Sequence, residues 1–501
     1  NVKVFFMQKG DLWCIEHDYF EASSTSLMRS LYTFLSAPKD RRDLILSQRS
    51  PQIDESRQLR GDYGEQFNGL SLSVKQARDF FLIVGPPGTG KTSFGMLNTL
   101  KDELLEPDSS VLLLSYTNRA VDEICSKLIH EGIDFIRVGG ALSCSEECKP
   151  YLLESKVSGV TNKNEMRELL RSVRVYAGTT SSVNSHAELF KLKHFTLAIV
   201  DEASQILEPH IIGLLSAHDG ERLCIDKFVF IGDHKQLPAV VQQDEEESSV
   251  SNDLLSAAGL SDCRLSLFER LYRQHKDNPQ VCQMLTRHGR MHQDIADFPN
   301  KVFYHNRLQV VPLPHQVKPV ASASSALSLD NLLESTRVAF IDVPLSESPL
   351  SDRVNAVEAD IIARVAVSAY RKYSPSFDAN ETLGVIVPYR NQIAAVRTAL
   401  AKYGIPELMN IGIDTVERYQ GSQRKVVIYG FTIQQRHQLN FLCSHTFQEG
   451  DALIDRKLNV AMTRAMEHLV LVGNAPLLSE SPVFHRLIEY VRESGGYLSY
   501  E

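Results

Sequence analysis

The sequence predicts an α/β protein with two successive parallel-sheet lobes, preceded by a small β-rich accessory segment. From residue 61 to about 242, short unbroken runs of Val, Ile, Leu and Phe alternate with helical stretches, as expected for strands buried on both faces. The same alternation returns from Val338 to Val472. We therefore expect a doubly wound sheet in each half of the chain, with ligands beyond the carboxyl ends of the strands.

The expected domains are residues 1–60, 61–250 and 251–501. Residues 1–60 combine short alternating runs, at 2–7 and 12–15, with an Arg-rich connector that is typical of a solvated face. Residues 141–172 are helical and acidic, so they are a candidate insertion in the first lobe. The run Gln242 to Ser251 is rich in Asp, Glu and Ser, and it marks the expected boundary between the lobes.

The composition is that of an ordinary soluble globular protein, with 43% hydrophobic and 23% charged residues among 501. A net charge of −9 neither indicates nor excludes a local basic groove for nucleic acid. The eight cysteines show no zinc-binding spacing, and no apolar run reaches the roughly 18 residues of a membrane helix. We expect an intracellular protein with reduced thiols, in the cytoplasm, nucleus or nucleoid. Because the chain starts at Asn1 rather than Met, it is also a candidate piece of a longer protein.

The run that ends at Thr92 reads G-x-x-x-x-G-K-T, the phosphate-binding P-loop motif, between an apolar strand and a helix. Gly85, Gly88 and Gly90 are expected to adopt dihedrals closed to other residues, so that several N–H groups face one anion. Lys91 would reach the β- and γ-phosphates of ATP, and Thr92 would ligate Mg²⁺. The alternative is a simple turn between strand and helix, but such a turn does not require Lys-Thr directly after its last glycine. The predicted nucleotide-binding residues of the loop are Gly85, Pro86, Pro87, Gly88, Thr89, Gly90, Lys91, Thr92 and Ser93.

Two acids and an amide follow later buried strands. Asp201 and Glu202 come directly after a strand that ends at Val200, so they are expected beside the P-loop. Asp201 would hold Mg²⁺, and Glu202 would orient and deprotonate the attacking water. The alternative is that they only mark a helix N-terminus. Gln236 follows the strand at 228–231 and could hydrogen-bond the γ-phosphate or the attacking water.

The order of motifs in the chain resembles that of superfamily 1B helicases. The motifs are, in sequence, GPPGTGKT, SYTNRAVDEI, AGTTSSVN, VDEASQ, GDHKQLP, RHGRMH, DTVERYQGSQRKVV and KLNVAMTRA. The branch it resembles holds the nonsense-mediated-decay RNA helicase and the eukaryotic replication helicase/nuclease, and the likeness is greater to the helicase region of the latter. The resemblance runs from about residue 61 to 475. It implies two tandem RecA-like lobes of a P-loop NTPase.

The resemblance also implies roles for residues outside the P-loop. Arg290 and Arg464, both assigned to the second lobe, would reach across the cleft to the γ-phosphate as arginine fingers. Glu417 would contact the ribose, and Gln420 with Gly421 would couple nucleotide binding to strand binding.

Adenine recognition is implied for Gln66, with Gln76 as the alternative because the spacing is irregular. Many relatives place a Tyr before the arginine that corresponds to Arg290, where it stacks on adenine. This chain has Gly289 there, so stacking is expected from another side chain or not at all.

The predicted nucleic-acid contacts are polar groups at strand ends, because single strands are held by contacts to phosphates with occasional aromatic stacking. Ser and Thr at strand ends are also common helix caps, which is the alternative. By resemblance the contacts lie across the top of both lobes, at Ser115, Thr117, Asn118, Thr179, Thr180, Pro388, Tyr389 and Thr415.

The function we predict is an ATP- and Mg²⁺-dependent helicase that moves 5′ to 3′ on single-stranded nucleic acid, with DNA preferred, in replication or repair. The chain would act as a monomer or within a larger polypeptide, as the motor portion of a helicase/nuclease. The alternatives are an RNA helicase or RNA–protein remodeller of the same fold, and a nucleotide-gated scaffold that hydrolyses little ATP.

Overall fold

The computed structural model describes residues 19–320, 327–345 and 351–500. The runs at 2–7 and 12–15, which predicted a β-rich segment, lie outside these residues. The described remainder of that segment begins with two helices, Tyr19–Ser36 and Lys39–Ile45. The expectation of a solvated Arg-rich face is wrong for Arg41, which is 3% exposed and donates hydrogen bonds of 3.0 Å to the carbonyls of Ile225 and Asp226. This contact anchors the segment to the first lobe.

The first lobe contains a seven-stranded parallel sheet with helices on both faces. Along one strand, Phe80 and Leu82 pack into the core on one face, while Phe81 and Ile83 pack into the core on the other. This double burial explains the unbroken apolar runs. In spatial order the strands are Ile136–Val138, Val175–Thr179, Val111–Ser115, Phe195–Val200, Ile225–Gly232, Phe80–Val84 and Cys282–Met284.

The last of these strands shows that the boundary predicted at residue 250 is too early. Cys282–Met284 pairs in parallel with Phe80–Val84, so the first lobe continues to about residue 284. The acidic run folds into a surface helix, Glu245–Ser248, within the lobe. The helices at 141–172 join two strands that are neighbours in the sheet, so they form its crossover connection.

The second lobe repeats the architecture with six parallel strands and helices on both faces. Its strands, in spatial order, are Gly412–Asp414, Leu383–Ile386, Arg424–Gly430, Ala465–Gly473, Val338–Asp342 and Tyr497–Ser499. An antiparallel hairpin, Thr446–Glu449 with Ala452–Asp455, projects from this lobe. The two-lobed parallel architecture predicted from the sequence is confirmed.

The remaining elements connect the strands. Two small pairs of strands are His218–Asp219 with Arg222–Leu223 and Arg287–His288 with Gln309–Val310. The helices of the first lobe are Glu65–Gln76, Lys91–Met96, Leu97–Leu104, Asn118–His130, Ala141–Ser143, Glu146–Tyr151, Leu153–Val157, Lys163–Ser172, Thr180–Ser185, Leu189–Leu192, Ala203–Gln205, Glu208–Leu215, Glu245–Ser248, Asp253–Ala257 and Leu267–His275. Those of the second are Gln293–Val302, Pro314–Val317, Leu332–Ser335, Ala356–Tyr373, Arg390–Ala401, Pro406–Met409, Val416–Tyr419, His437–Leu442, Arg456–Met462, Ala475–Leu478 and Pro482–Glu493. Among the described residues, none of these helices combines the length and the apolar character needed to span a bilayer.

Candidate active site

The P-loop leaves the carboxyl end of strand Phe80–Val84 and enters a helix through a π-helical turn. Gly88 and Gly90 have φ of +74° and +78°, the left-handed region that favours glycine. Gly85 has no positive φ, but a Cβ there would lie 2.1 Å from Cγ of Lys91. Two of the three glycines therefore serve the predicted backbone geometry. Gly85 instead makes room for the lysine side chain.

Lys91 and Glu202 face each other at the base of the cleft. The Nζ of Lys91 lies 3.1 Å from the carbonyl oxygen of Gly85 and 3.7 Å from Oε1 of Glu202. Glu202 has a φ of +53°, a backbone conformation that costs about 1–3 kcal/mol in a non-glycine residue and persists at functional sites. Gln205 donates a 3.0 Å hydrogen bond to the other carboxylate oxygen, so the carboxylate of Glu202 is held in place.

Thr92 and Asp201 form the pair expected to hold a divalent cation. The hydroxyl of Thr92 donates a 3.0 Å hydrogen bond to Oδ2 of Asp201, which is 4% exposed. Burial and the neighbouring Glu202 raise the pKa of Asp201 to about 6. A buried carboxylate beside a second acid is stabilised by a cation, and carboxylate and hydroxyl oxygens are ligands that Mg²⁺ accepts. The residues present therefore fit the metal.

Gln236 and Arg464 meet across the cleft between the lobes. Nη2 of Arg464 donates to the amide oxygen of Gln236 at 3.1 Å, and Gln236 donates to Asp233 at 2.9 Å. Arg464 also donates to the carbonyls of Val460 and Ser422. It is 2% exposed, and burial together with the nearby Arg290 lowers its pKa to about 9. A buried guanidinium with an amide as its side-chain partner is poised for an anion.

Arg290 reaches the cleft from a different place than predicted. Its segment follows strand Cys282–Met284, and the backbone N–H of Gly289 donates to the carbonyl of Gly88 in the P-loop at 3.0 Å. The guanidinium donates to Gln423 at 2.9 Å and to the carbonyl of Thr463 at 3.3 Å, both in the second lobe. Arg290 therefore lies at the junction of the lobes. Burial lowers its pKa to about 10.

These groups line one cavity of about 790 Å³ between the lobes. The P-loop lines the cavity from Pro86 to Ser93. Five predicted site residues from other segments also line it: Glu202, Gln236, Arg290, Gly421 and Arg464. A larger cleft of about 1000 Å³ lies at the opposite end of the first sheet. Its charges are largely paired with each other, as Arg49 is with Asp79 and Asp40, and it does not adjoin the P-loop.

Four residues implied by the resemblance, including Gln420, do not line this cavity. Gln66 accepts a hydrogen bond from Arg287, and Gln76 donates to two backbone carbonyls of the loop at 55–57. Glu417 lines a smaller neighbouring cavity, with Oε1 3.9 Å from Nζ of Lys457. Adenine and ribose recognition at these positions stays a prediction.

The predicted nucleic-acid residues are of three kinds: helix caps, buried side chains and residues that line a separate cavity or are half-buried. The hydroxyls of Thr117 and Thr179 cap the helices that follow them, as the alternative interpretation proposed. Ser115 and Thr180 are buried, whereas Asn118 is half-buried and accepts a hydrogen bond from Arg137. A separate cavity on the second lobe brings together Pro388, Tyr389 and Thr415.

A buried polar network between the lobes had no signal in the sequence. The hydroxyl of Tyr304 donates to Asp233 at 2.8 Å, while Asn459 donates to the carbonyl of Lys235 at 2.7 Å and to the Tyr304 hydroxyl at 2.8 Å. Glu449, on the hairpin, accepts from His234 at 3.0 Å and also pairs with Lys235. Only the polar run around Gln236, directly after a buried strand, pointed to this region.

Two models of AAA-domain families match the chain, one over residues 65–175 and 160–244, the other over residues 263–476. They cover both lobes and the cleft that holds Lys91 and Arg464. The chain belongs to the superfamily 1B helicases.

Within these helicases the chain is similar to proteins named DNA replication ATP-dependent helicase/nuclease. It is 31% identical to JHS1 of Arabidopsis thaliana over 98% of this chain and 35% of that protein. It is 31% identical to DNA2 of Xenopus laevis over 84% of this chain and 39% of that protein. The chain therefore spans well under half the length of these curated relatives. Among solved structures, the chain is similar to Arterivirus nonstructural protein 10 (helicase), solved with DNA. The match covers 81% of this chain and 61% of the Arterivirus chain, at 15% sequence identity and a TM-score of 0.39.

Proposed function

We propose that the chain is the ATP-driven motor of a helicase/nuclease, moving 5′ to 3′ along single-stranded DNA during replication or repair. It acts as a monomer or within a larger polypeptide, in the nucleus, nucleoid or cytoplasm. The observation that carries the proposal is the 3.1 Å hydrogen bond from Arg464 of the second lobe to Gln236 of the first, beside Lys91 and Glu202. One bound triphosphate would contact both lobes.

The positions of these residues support the following cycle. Lys91 binds the β- and γ-phosphates of ATP, while Arg464 and Arg290 neutralise the charge that develops on the γ-phosphoryl group. Glu202 accepts the proton of the attacking water, and Gln236 registers through its amide whether the γ-phosphate is present. Loss of the γ-phosphate removes the anion that both lobes contact, so the lobes separate. The affinity of each lobe for the strand then rises and falls in turn.

Thr92 and Asp201 would hold Mg²⁺, which would neutralise negative charge on the phosphates of ATP. Burial and the neighbouring Glu202 raise the pKa of Asp201, and a cation held at this pair would offset the cost of its negative charge.

Preference for DNA over RNA is supported by the names of the relatives in Arabidopsis thaliana and Xenopus laevis, each a DNA replication ATP-dependent helicase/nuclease. The test compares ATPase stimulation by DNA and RNA strands of equal length over a series of salt concentrations. We expect DNA to stimulate more strongly, and Lys91→Ala to abolish the stimulated activity. Stronger stimulation by RNA would instead support the RNA-remodelling alternative. If neither strand stimulates hydrolysis, the scaffold alternative is favoured.

Polarity is tested separately with partial duplexes that carry either a 5′ or a 3′ single-stranded tail. We expect ATP-dependent strand displacement from the 5′ tail and none from the 3′ tail. The reverse pattern would contradict the proposed direction of travel without affecting the assignment of the ATP site.

A further inference from the structure

A cavity of about 700 Å³ opens on the second lobe, and it shares no lining residue with the nucleotide cleft. It lies where strand Leu383–Ile386 leads into helix Arg390–Ala401, beside the short helix His437–Leu442. The strand path predicted from the sequence includes Tyr389 on its rim but not the residues on its far side. The cavity is large enough for a nucleobase with its sugar.

Two stacked aromatic rings, those of Tyr389 and Phe441, line this cavity. Phe441 is 43% exposed, and its ring lies 5.2 Å from that of Tyr389 at an interplanar angle of 22°. The ammonium of Lys457 lies 4.0 Å from the centroid of the Phe441 ring and donates to the Phe441 carbonyl at 3.0 Å. Lys457 is itself buried, so it contacts the Phe441 ring from inside the lobe. An exposed, fixed aromatic surface is what an unstacked base binds.

Charged groups of both signs line the cavity beside the rings, two arginines and the carboxylates of Asp352 and Glu417. The guanidinium groups of Arg353 and Arg390 are exposed, and neither has a hydrogen bond or ion pair within the described part of the chain. Helix Arg390–Ala401 begins beside Tyr389 and has no side-chain cap at its N-terminus. Arginine forks beside the start of a helix suit a phosphate of the nucleic-acid backbone.

We propose that the cavity takes one base of the bound single strand, stacked on the rings of Phe441 and Tyr389, with an adjoining phosphate held by Arg353 and Arg390. This inference rests on the proposed function and adds to it. The second lobe would then grip the strand by a base as well as through the backbone contacts predicted at strand ends. One base of each bound strand would therefore unstack from its neighbouring bases and enter the cavity.

The test uses single-stranded oligonucleotides in which one base at a time is replaced by the fluorescent analogue 2-aminopurine. With the whole chain bound, we expect strong quenching at one position only, because stacking on an aromatic ring quenches the analogue. Phe441→Ala should abolish that quenching and weaken strand binding about 5- to 150-fold, the range set by the loss of one base–aromatic stack. Phe441→Trp should restore both.

Tyr403→Ala is the matched control, because Tyr403 is 42% exposed on the same lobe but does not line the cavity. Phe441→Leu keeps an apolar side chain without a ring, and it should bind like the alanine variant. If wild-type protein binds the strand but the alanine variant binds equally tightly with unchanged quenching, the base site is refuted and the motor stands. If wild-type protein shows no strand-stimulated ATPase, the proposed function itself fails.

Discussion

At the scale of single residues, Arg464 cannot be replaced by a lysine without loss. Its guanidinium donates in three directions, to Val460, Ser422 and Gln236, and a lysine is a point charge that cannot satisfy this fork. We expect Arg464→Lys to lower the rate of strand-stimulated ATP hydrolysis roughly 10³-fold, because an arginine finger contributes at least that much. Steady-state ATPase assays measure the rate, and binding of a fluorescent nucleotide should persist.

The matched control is Arg436→Lys, since the Arg436 side chain is 82% exposed and pairs with Glu480 at the surface. It should hydrolyse ATP at the wild-type rate. A lysine variant at 464 that retained wild-type hydrolysis would mean that this residue does not act on the γ-phosphate.

Asp201 is the residue at which function and stability conflict. Its pKa of about 6 in the folded protein exceeds the value of about 3.9 in an unfolded chain, so the folded state binds the proton more tightly. Stability is therefore lost as pH rises from about 4 to 6. We expect Asp201→Asn to abolish ATPase activity and to raise the melting temperature relative to wild type more at pH 7.5 than at pH 4.5, both measured in EDTA. An equal difference at both pH values would contradict the raised pKa.

Motifs located these residues but could not give their surroundings. The spacing of the P-loop and of the acids after Val200 was enough to predict Lys91, Thr92 and Asp201. The left-handed backbone of Glu202 and the packing role of Gly85 depend on atoms that only the folded chain brings together.

At the scale of elements, strands buried on both faces were predictable, whereas the edge strand Cys282–Met284 was not. The predicted run Leu197 to Val200 lies within the observed strand Phe195–Val200, because double burial demands an unbroken apolar run. Strand Cys282–Met284 has only three residues, two of them partly exposed, so the sequence contains no apolar run that would predict it. The lobe boundary was therefore placed at the acidic stretch, which is a solvated part of the first lobe.

One helix start in the second lobe depends on a buried acid. Glu358, which is fully buried, accepts hydrogen bonds from the backbone N–H of Thr432 at 2.7 Å and from Asn355 at 3.2 Å. Burial raises its pKa to about 8, well above that of an unfolded chain, so stability contributed at low pH is lost as pH rises from about 4.5 to 8. We expect Glu358→Gln to remove most of this pH dependence, measured by urea unfolding between pH 5 and 8.

The control for Glu358 is Glu493→Gln, at an exposed position near the end of helix Pro482–Glu493. It should leave the pH dependence of unfolding unchanged. A Glu358→Gln variant with the wild-type pH profile would show that this carboxyl is ionised throughout the range.

At the scale of the whole molecule, the lobes are joined by buried polar contacts as well as by the nucleotide cleft. Arg456 of the second lobe donates to Glu269 of the first at 2.9 Å and to the carbonyl of His234 at 2.8 Å. Glu449 adds a carboxylate that lies between His234 and Lys235, directly before Gln236 in the chain. Gln236, the side chain that we propose senses the γ-phosphate, is thus adjacent to residues that join the lobes.

Removal of Glu449 tests whether these contacts stabilise the lobes as a pair. Lys235 is 5% exposed, so Glu449→Ala leaves a buried ammonium without its carboxylate, a loss that costs about 3–5 kcal/mol in proteins. We expect the free energy of unfolding, measured with denaturant, to fall by about 3 kcal/mol. ATP-driven strand displacement should fall more than ATP hydrolysis, because coupling between the lobes is lost. Glu246→Ala, at an exposed surface position, should change neither quantity. If Glu449→Ala left stability and strand displacement at wild-type values, the hairpin would not stabilise the pair of lobes. The lobes would then be coupled through the bound nucleotide alone.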